Sequence, residues 1–359
     1  MRGFTPSTAN RWVKCPGSVR LSEPYLNTFG ISEAAKEGIA AHWVIEELHA
    51  KREVKVGQRT SNDEIVTEEM LEGAVLFLDN LPEGATIETP VDCSSLHQGM
   101  RGRIDAVAVA GGVLRILDYK YGHRPVSPIE NEQLMVEAIA VCDNLASEHE
   151  IHTVELTIVQ PRCYGHDPVN TWKLSKERLF AEHRPRIVVA IEDATSDDPV
   201  LNTGSHCVFC PARHACPALR EVALNIVDVS KSAMNMELDE NALGDELALL
   251  EDAEERIRAR ISGLQEMAKV HIENNKIVKN YKSEAKYGLT GWTVPTETLL
   301  LTADTLGVDL RKPEAAITPK QAVKKGLAKT LVEEMSEAKY KGHELKRIDF
   351  NKSKEVFKK

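Results

Sequence analysis

Hydrophobic and polar positions alternate along the chain in a way that predicts an ordered series of helices and strands. Apolar residues at helical spacing predict helices over about residues 32–50, 66–80, 128–146, 175–194 and 239–275. Short strand-like runs occupy residues 85–92, 102–109, 113–121 and 153–161. The order of helix, three strands, helix and strand predicts an α/β fold whose mixed central sheet is flanked by helices.

The second and third strands are predicted to form a β-hairpin around the Gly-Gly pair at residues 111–112. Gly-Gly is a favoured two-residue turn because both positions can adopt a positive φ. With these two residues as the loop, Ala110 pairs with Val113, and the same register puts Asp105 directly opposite Asp118.

The two opposed carboxylates in this hairpin suggest a metal-binding site. Two carboxylates directly opposite one another are destabilising, and a divalent cation such as Mg²⁺ or Mn²⁺ between Asp105 and Asp118 removes the conflict. Lys120 lies one pleat further along the face of Asp118, where it would orient or deprotonate a water and offset charge on a phosphate. These three residues form a hydrolytic unit in this interpretation; the plain alternative is a strand end that reaches solvent with an ordinary salt bridge.

Composition and charge narrow the class of protein. The chain has 359 residues, 42% hydrophobic and 28% charged, and a net charge of −10 that argues against attraction of nucleic acid to the whole surface. Residues 311–359 are locally basic, which fits either a phosphate-contacting surface or a solvated terminus. No apolar run is long enough for a membrane span and no signal-peptide core is present, so we expect a cytoplasmic protein without membrane contact.

Three of the seven cysteines are closely spaced in HCVFCPARHAC, as Cys207-x₂-Cys210-x₅-Cys216. Three thiols this close indicate a metal or cluster site, and Cys15 is the candidate fourth ligand. Zinc is one candidate occupant, because Cys₄ and Cys₃His sites are common and two histidines, His206 and His214, lie beside the thiols. The remaining cysteines, Cys93, Cys142 and Cys163, stand singly and are interpreted as ordinary buried thiols.

The order of these motifs resembles the PD-(D/E)XK nucleases, specifically the RecB-like branch. Asp105 in GRIDAV is followed by D-Y-K at residues 118–120, and GIAAH ends at His42, where the branch has a helical metal-ligand histidine. Gln133 in EQLMVEA matches a helical glutamine that follows the lysine strand. The branch usually has a tyrosine four residues after that glutamine, and this chain has Glu137 there.

The resemblance implies a restriction-endonuclease-like core with Mg²⁺ or Mn²⁺ as cofactor. Its metal ligands would be His42, Asp105, Asp118 and the main-chain carbonyl of Tyr119, and its catalytic residues would be Asp105, Asp118, Lys120 and Gln133. Glu88, on the preceding strand, is a further possible ligand, but an ordinary surface glutamate is the preferred interpretation.

The cysteine spacing is similar to that of RecB-like nucleases with an iron staple, which include AddB and the CRISPR-associated adaptation nucleases. By this resemblance, which covers roughly residues 5–220, a [4Fe–4S] cluster would be bound by Cys15, Cys207, Cys210 and Cys216. Residues 1–225 would form the nuclease core, and residues 226–359 a helical extension with a basic C-terminal tail.

The function implied is that of a metal-dependent DNA exonuclease, similar to phage-encoded RecB-family exonucleases. Such an enzyme would process linear duplex or single-stranded DNA ends in phage recombination or replication, in the bacterial host cytoplasm, with a single-strand annealing or binding protein as partner. The alternative from a different class is a non-catalytic nucleic-acid-binding protein with a structural Cys₄ zinc or iron–sulfur site. A redox protein is disfavoured, because it leaves Asp105, Asp118 and Lys120 unexplained.

Overall fold

The computed structural model describes residues 4–163, 167–229, 240–292, 294, 296–310 and 319–347. The chain divides into two compact units, Met1–Leu264 and Gln265–Lys359. This boundary lies later than the predicted one at residue 225, because Ala259 of the long helix Glu240–Glu273 packs with Cys207, Cys216 and Leu219 of the first unit.

The first unit is built on a five-stranded mixed sheet, which agrees with the predicted mixed α/β class. Its strands, in both chain and spatial order, are β1 (Thr86–Asp92), β2 (Arg101–Ala110), β3 (Val113–Tyr119), β4 (Thr153–Val159) and β5 (Val169–Ser175). Neighbouring strands are antiparallel except for the parallel pair β3 and β4. β5 was not predicted, because only its Leu174 is fully buried and the strand carries little apolar alternation.

The described α-helices up to residue 273 are, in chain order, α1 (Ala9–Trp12), α2 (Ser18–Ser22), α3 (Glu33–His49), α4 (Glu68–Asp79), α5 (Glu132–Asn144), α6 (Lys176–Arg178), α7 (Arg184–Thr195), α8 (Pro217–Val229) and α9 (Glu240–Glu273). A π-helical turn, Leu179–His183, joins α6 to α7, so the predicted helix over 175–194 contains an irregular turn. α8 was not predicted.

Helix α5 begins later than the predicted residue 128. The backbone of Glu130 is left-handed, with φ of 52°, which interrupts a helix at that residue. The Asn131 side chain then accepts a hydrogen bond from the Leu134 amide at 3.2 Å and caps the new helix. The helix therefore starts only after this turn.

The two faces of the sheet pack against different helices. On one face Leu114 and Ile116 join a core that includes α5, α7 and the N-terminal segment with Trp12. On the other face Leu117 and Tyr119 pack with α3 and α4. β3 is thus buried on both sides, which explains why its sequence is nearly continuously apolar until Asp118.

The predicted hairpin register is confirmed. β2 pairs with β3 from Ala110–Val113 to Ala106–Leu117, and the Gly-Gly pair at residues 111–112 has φ angles of 58° and 74°. The turn therefore fixes which residues of the two strands are neighbours.

The second unit contains the helices that the predicted helical extension implies, together with a two-stranded sheet that was not predicted. An antiparallel pair, β6 (Tyr281–Trp292) and β7 (Ser336–Arg347), accompanies α10 (Thr296–Thr305), α11 (Pro319–Lys324) and α12 (Lys329–Met335). The strands are rich in polar residues and were missed for that reason. Residues 311–318 and 348–359 of the predicted basic tail lie outside the described residues.

Within the described parts of the chain, no helix combines the length and the apolar composition that a membrane crossing requires.

Helix α4 approaches β3 so closely that only glycine fits at residue 73. A Cβ atom on Gly73 would lie 2.5 Å from the Tyr119 hydroxyl oxygen and 2.9 Å from Pro161 Cγ. The Tyr119 ring cannot easily move, because it is buried against the rings of Phe77 and Tyr121. The close approach therefore depends on the absence of a side chain.

We expect Gly73→Ala to destabilise the protein by about 1–2 kcal/mol, because overpacking outweighs the helix propensity that alanine gains. The matched control is Gly38→Ala in α3, where an added Cβ meets nothing within 4 Å, and where we expect stabilisation of up to about 1 kcal/mol. Urea unfolding of the three proteins measures both changes. Equal effects of the two substitutions would contradict the packing of α4 on Tyr119.

Candidate metal and hydrolytic site

Side chains from five elements meet near the end of β3. His42 comes from α3, Glu88 from β1 and Asp105 from β2, while Asp118 and Lys120 lie at and just after the end of β3. Gln133 and Glu137 come from α5, which packs against this region. The capped start of α3, where Ser32 accepts from the Ala35 amide, and its buried face hold His42 over the sheet.

The sheet is interrupted at Asp105. Every other residue of β2, all of it described, pairs with β1 or β3, whereas the β1–β2 ladder skips the Glu88–Asp105 position and the β2–β3 ladder ends at Ala106–Leu117. Asp105 and Asp118 therefore do not form the directly opposed ladder pair that the sequence predicted, although the register is the predicted one. Glu88 has a left-handed φ of 48°, a conformation that costs about 1–2 kcal/mol for a residue other than glycine.

The Asp105 carboxylate fills the gap in the ladder. Its Oδ2 accepts a hydrogen bond of 2.6 Å from the Tyr119 backbone amide. Its Oδ1 lies 3.8 Å from Nδ1 of His42. One oxygen thus replaces a missing backbone acceptor, and the other is turned towards the histidine.

His42, Glu88 and Asp105 form a group that could hold a metal ion. One ligand atom from each lies within 4.8 Å of the others, and His42 Nδ1 is 3.4 Å from Glu88 Oε1. The interpretation of Glu88 as an ordinary surface glutamate is therefore wrong: its side chain is only 18% exposed and also lies 3.4 Å from Arg103. The sequence did not predict this proximity, because no tight turn between β1 and β2 sets the register of those two strands.

The charges of the three residues are strongly linked. Burial lowers the pKa of His42, but the carboxylates of Asp105 and Glu88 overcome it and raise the pKa to about 9. Burial raises the pKa of Asp105 to about 6, and the neighbouring Asp118 acts in the same direction. Burial also disfavours the ionised Glu88, yet its contact with His42 brings that pKa below the usual value. The group therefore attracts a positive charge.

A hydrogen-bonded network adjoins this group and joins the residues predicted to be catalytic. Lys120 Nζ donates to Asp118 Oδ1 at 2.9 Å and to Gln133 Oε1 at 3.1 Å. Gln133 Nε2 donates to the same Asp118 oxygen at 2.9 Å. Lys120 Nζ also lies 2.9 Å from Asp118 Oδ2, so the ammonium is close to both oxygens of this carboxylate.

Two predicted metal ligands are adjacent to the three-residue group rather than within it. Asp118 acts on the group through its charge, which raises the pKa of His42 and of Asp105. Tyr119 contributes its backbone amide to Asp105, and its ring lies 5.5 Å from that of His42. Ligation by the Asp118 carboxylate and by the Tyr119 carbonyl stays a prediction.

Glu137 belongs to this network and was not predicted as a site residue. It is 1% exposed, and its Oε1 accepts a hydrogen bond of 3.1 Å from Gln133 Nε2. Burial raises the pKa of Glu137 well above its usual value, and the charge of Asp118 adds to the effect. The signal in the sequence is a carboxylate one helical turn after Gln133, within a run that is otherwise apolar.

The four cysteines proposed as ligands line one small cavity. Cys15, Cys207, Cys210 and Cys216 are all buried free thiols there, with His206 and Arg213 among the other lining residues. Backbone amides point at two of the sulfur atoms, from Gly204 to Cys207 at 3.4 Å and from Leu219 to Cys216 at 3.5 Å. Burial raises the pKa of Cys207 to about 11 and also raises that of Cys15.

The other cysteines and the second histidine lie elsewhere. Cys93 and Cys142 belong to the main hydrophobic core, as expected of ordinary buried thiols, and Cys163 is buried outside the cysteine cavity. The His214 ring packs edge-on against Tyr25 at 4.4 Å and is not among the residues that line that cavity.

Backbone contacts bring the distant cysteines together. The Gly17 amide donates to the Val200 carbonyl at 2.9 Å, and the Asn202 side chain donates to the Lys14 carbonyl at 3.1 Å. The N-terminal segment is therefore tied to residues that follow α7, with or without an occupant between the thiols.

The buried Glu137 gives a pH-dependent prediction. Its pKa is raised from the usual 4.5 on folding, so the native state binds more protons than the unfolded state, and stability falls as the pH rises above about 4.5. We expect Glu137→Gln to remove this fall and to be more stable than the wild type at pH 8. Thermal melts of metal-free protein from pH 4.5 to 8 measure it, with Glu148→Gln, at an exposed site, as the control. Parallel wild-type and Glu137→Gln curves would contradict the burial of Glu137.

Comparisons with known proteins give the family. Residues 3–287 match the family described as "Protein of unknown function (DUF2800)". "Gene 69 protein" of Mycobacterium phage D29 is 32% identical over 123 residues, which span 34% of this chain and 44% of that protein. A solved structure, "Crystal structure of SSO0001", aligns with a TM-score of 0.31 and 15% identity over 60% of this chain and 86% of the other. Because the family match covers most of the sequence, the chain belongs to the DUF2800 family.

Proposed function

We propose that this protein is a metal-dependent DNA exonuclease with a PD-(D/E)XK core of the RecB-like type. The observation that carries the proposal is that a three-ligand group, His42, Glu88 and Asp105, lies beside the network of Asp118 and Lys120 at the end of β3, whose charges act on Asp105. A cation-binding group beside an ammonium is an arrangement that can stabilise the charge that develops in phosphodiester hydrolysis.

The donor atoms suit Mg²⁺ or Mn²⁺. One imidazole nitrogen and two carboxylate oxygens lie close together, and the Asp118 carboxylate is near enough for its charge to act on His42 and Asp105. His42 is 30% exposed, so the group can be reached from solvent. When bound, the cation supplies Lewis acidity at a phosphate and makes a nearby water more acidic.

Lys120 serves this site as a fixed positive charge. Burial lowers its pKa, but the Asp118 carboxylate raises it by more, so the amine stays an ammonium at neutral pH. Gln133 and Asp118 hold its Nζ from two sides, which aims the remaining N–H group. Orientation of water and stabilisation of phosphate charge therefore fit Lys120 better than removal of a proton.

We also propose a [4Fe–4S] cluster bound by Cys15, Cys207, Cys210 and Cys216, with zinc as the alternative occupant. Four thiols around one cavity, with backbone amides directed at two sulfurs, suit either group. The guanidinium of the buried Arg11 interacts with Cys15 and Cys210 and would offset the negative charge of metal thiolates.

The biological setting proposed is DNA end processing in phage recombination or replication. The relative from Mycobacterium phage D29 supports a phage context. Linear duplex or single-stranded DNA ends would be the substrate, and a single-strand annealing or binding protein the partner.

Lys120→Ala and Asp118→Asn should each reduce cleavage by at least about 100-fold. The first removes a positive charge beside the reacting phosphate, and the second removes the carboxylate that holds Lys120 and is a predicted metal ligand. Both variants should keep their fold and still bind DNA. Degradation of end-labelled linear DNA with Mg²⁺, Mn²⁺ or EDTA measures the change, and covalently closed circular DNA tests the need for an end. The control is Lys55→Ala, at a site where the lysine side chain is 70% exposed.

Near wild-type cleavage by either variant would refute the assignment of these residues. A wild-type protein that binds DNA but cuts none with either metal would instead support the non-catalytic alternative.

Replacement of single cysteines tests the proposed iron–sulfur centre. Cys15→Ser should lose brown colour and stability together, with a loss on the order of 5 kcal/mol if a cluster crosslink acts as a disulfide does in closing a long loop. Cys142→Ser, in the hydrophobic core, should retain the colour. Anaerobic purification, with about four irons per chain expected, measures occupancy. Colourless protein with stoichiometric zinc would replace the cluster with zinc and leave the nuclease proposal intact.

A further inference from the structure

A cavity of about 460 Å³ connects the hydrolytic network with the cysteine loop. It is lined by Lys120, by the β3–α5 connection, and by residues adjacent in sequence to the cysteine ligands, among them Lys14 and Phe209. This volume falls within the range of small-ligand sites. None of the proposed metal ligands lines it, so it is distinct from the metal group.

Two large apolar side chains in this cavity face water. Phe209 is 68% exposed and Ile129 is 62% exposed, and they come from separate segments of the chain. Exposed apolar groups that share one cavity indicate a ligand with an apolar surface.

The backbone around Phe209 is fixed. Phe209 ends a short 3₁₀ turn, Ser205–Phe209, and the Cys210 amide donates to the Cys207 carbonyl at 3.1 Å across it. Both cysteines are buried on either side of the exposed ring. Because this backbone is fixed, only the two side-chain torsions of Phe209 would be ordered when its ring stacks on a flat ligand.

The polar lining fits the rest of a nucleotide. Lys14 supplies positive charge, and so do Lys120 and Arg124, which are already paired with Asp118 at 2.9 Å and with Glu255 at 3.0 Å. Glu130 and Glu132 supply acceptors for donor groups. Because Lys120 also belongs to the hydrolytic network, a strand whose phosphate lies at that network would place an adjacent nucleotide in the cavity.

We propose that this cavity binds one nucleotide of single-stranded DNA, with the base on Phe209 and Ile129 and the backbone near Lys14 and Arg124. The proposal rests on the nuclease function proposed above. A single strand is the favoured ligand, because its bases are unpaired and can stack on protein side chains without first leaving a duplex. Stacking of this kind is tolerant of sequence.

The test measures binding of a fluorescent oligothymidylate by anisotropy, with Ca²⁺ in place of Mg²⁺ or Mn²⁺ to limit cleavage. Phe209→Ala should bind roughly 5- to 100-fold more weakly, the range expected for one stacked base. Phe209→Trp should restore affinity, and Ile129→Ala should cause a smaller loss. The control is Ile31→Ala, because Ile31 is 60% exposed and does not line the cavity.

A probe with abasic sugars in place of bases separates stacking from phosphate contacts. The wild type should bind it more weakly than oligothymidylate, whereas Phe209→Ala should discriminate less between the two. Metal content of Phe209→Ala, measured on the same sample, establishes that the cysteine centre is intact, and Ile129→Ala tests the cavity from a segment without cysteines.

If the wild type binds and cuts DNA while Phe209→Ala and Ile129→Ala bind oligothymidylate as tightly as it does, the nucleotide cavity is refuted and the nuclease proposal stands. If the wild type neither binds nor cuts any DNA with Mn²⁺, both proposals fail.

Discussion

Repulsion between buried carboxylates shapes the structure around the end of β3. Four acids converge there from three strands and one helix: Glu88, Asp105, Asp118 and Glu137. Like charges this close are unfavourable, so each acid is matched by an imidazolium, an ammonium, an amide or a retained proton. The break in the pairing of β2 provides one of these partners. The Asp105 carboxylate can accept the Tyr119 backbone amide only where the ladder is open.

The site has two parts that differ in how they balance charge. Around His42 the compensating charge is a proton, held by two carboxylates that raise the histidine pKa to about 9, and a divalent cation would displace it. Around Lys120 the compensating charge is permanent, since the ammonium is fixed by Asp118 and Gln133. In the proposed nuclease, the first part exchanges a proton for a metal ion, and the second keeps its charge throughout turnover.

Local signals in the sequence predicted the part of the site around Asp118 and Lys120, but did not predict the position of Glu88. The Gly-Gly turn fixed the β2–β3 register, and the spacing D-Y-K fixed the relation of Asp118 to Lys120. Glu88 was undervalued because its neighbours depend on the register between β1 and β2, which no tight turn encodes. The start of α5 was placed too early, because a left-handed Glu130 leaves no mark on hydrophobic periodicity.

The residues of the proposed hydrolytic site lie mainly on the sheet, whereas the cysteines and their neighbours lie on connecting segments. Asp105 and Asp118 are held by strands, whose positions depend on the hydrophobic core rather than on any bound group. Lys14 and Phe209 lie on connecting segments, which are positioned by contacts such as that of Gly17 with Val200 and by the proposed centre among the thiols. Loops without such ties move more than the sheet they surround. In the proposed nuclease, a cysteine centre remote from His42 would therefore act through the order of the cavity that contains Lys14 and Phe209, and would leave the proton and metal equilibria at His42 unchanged.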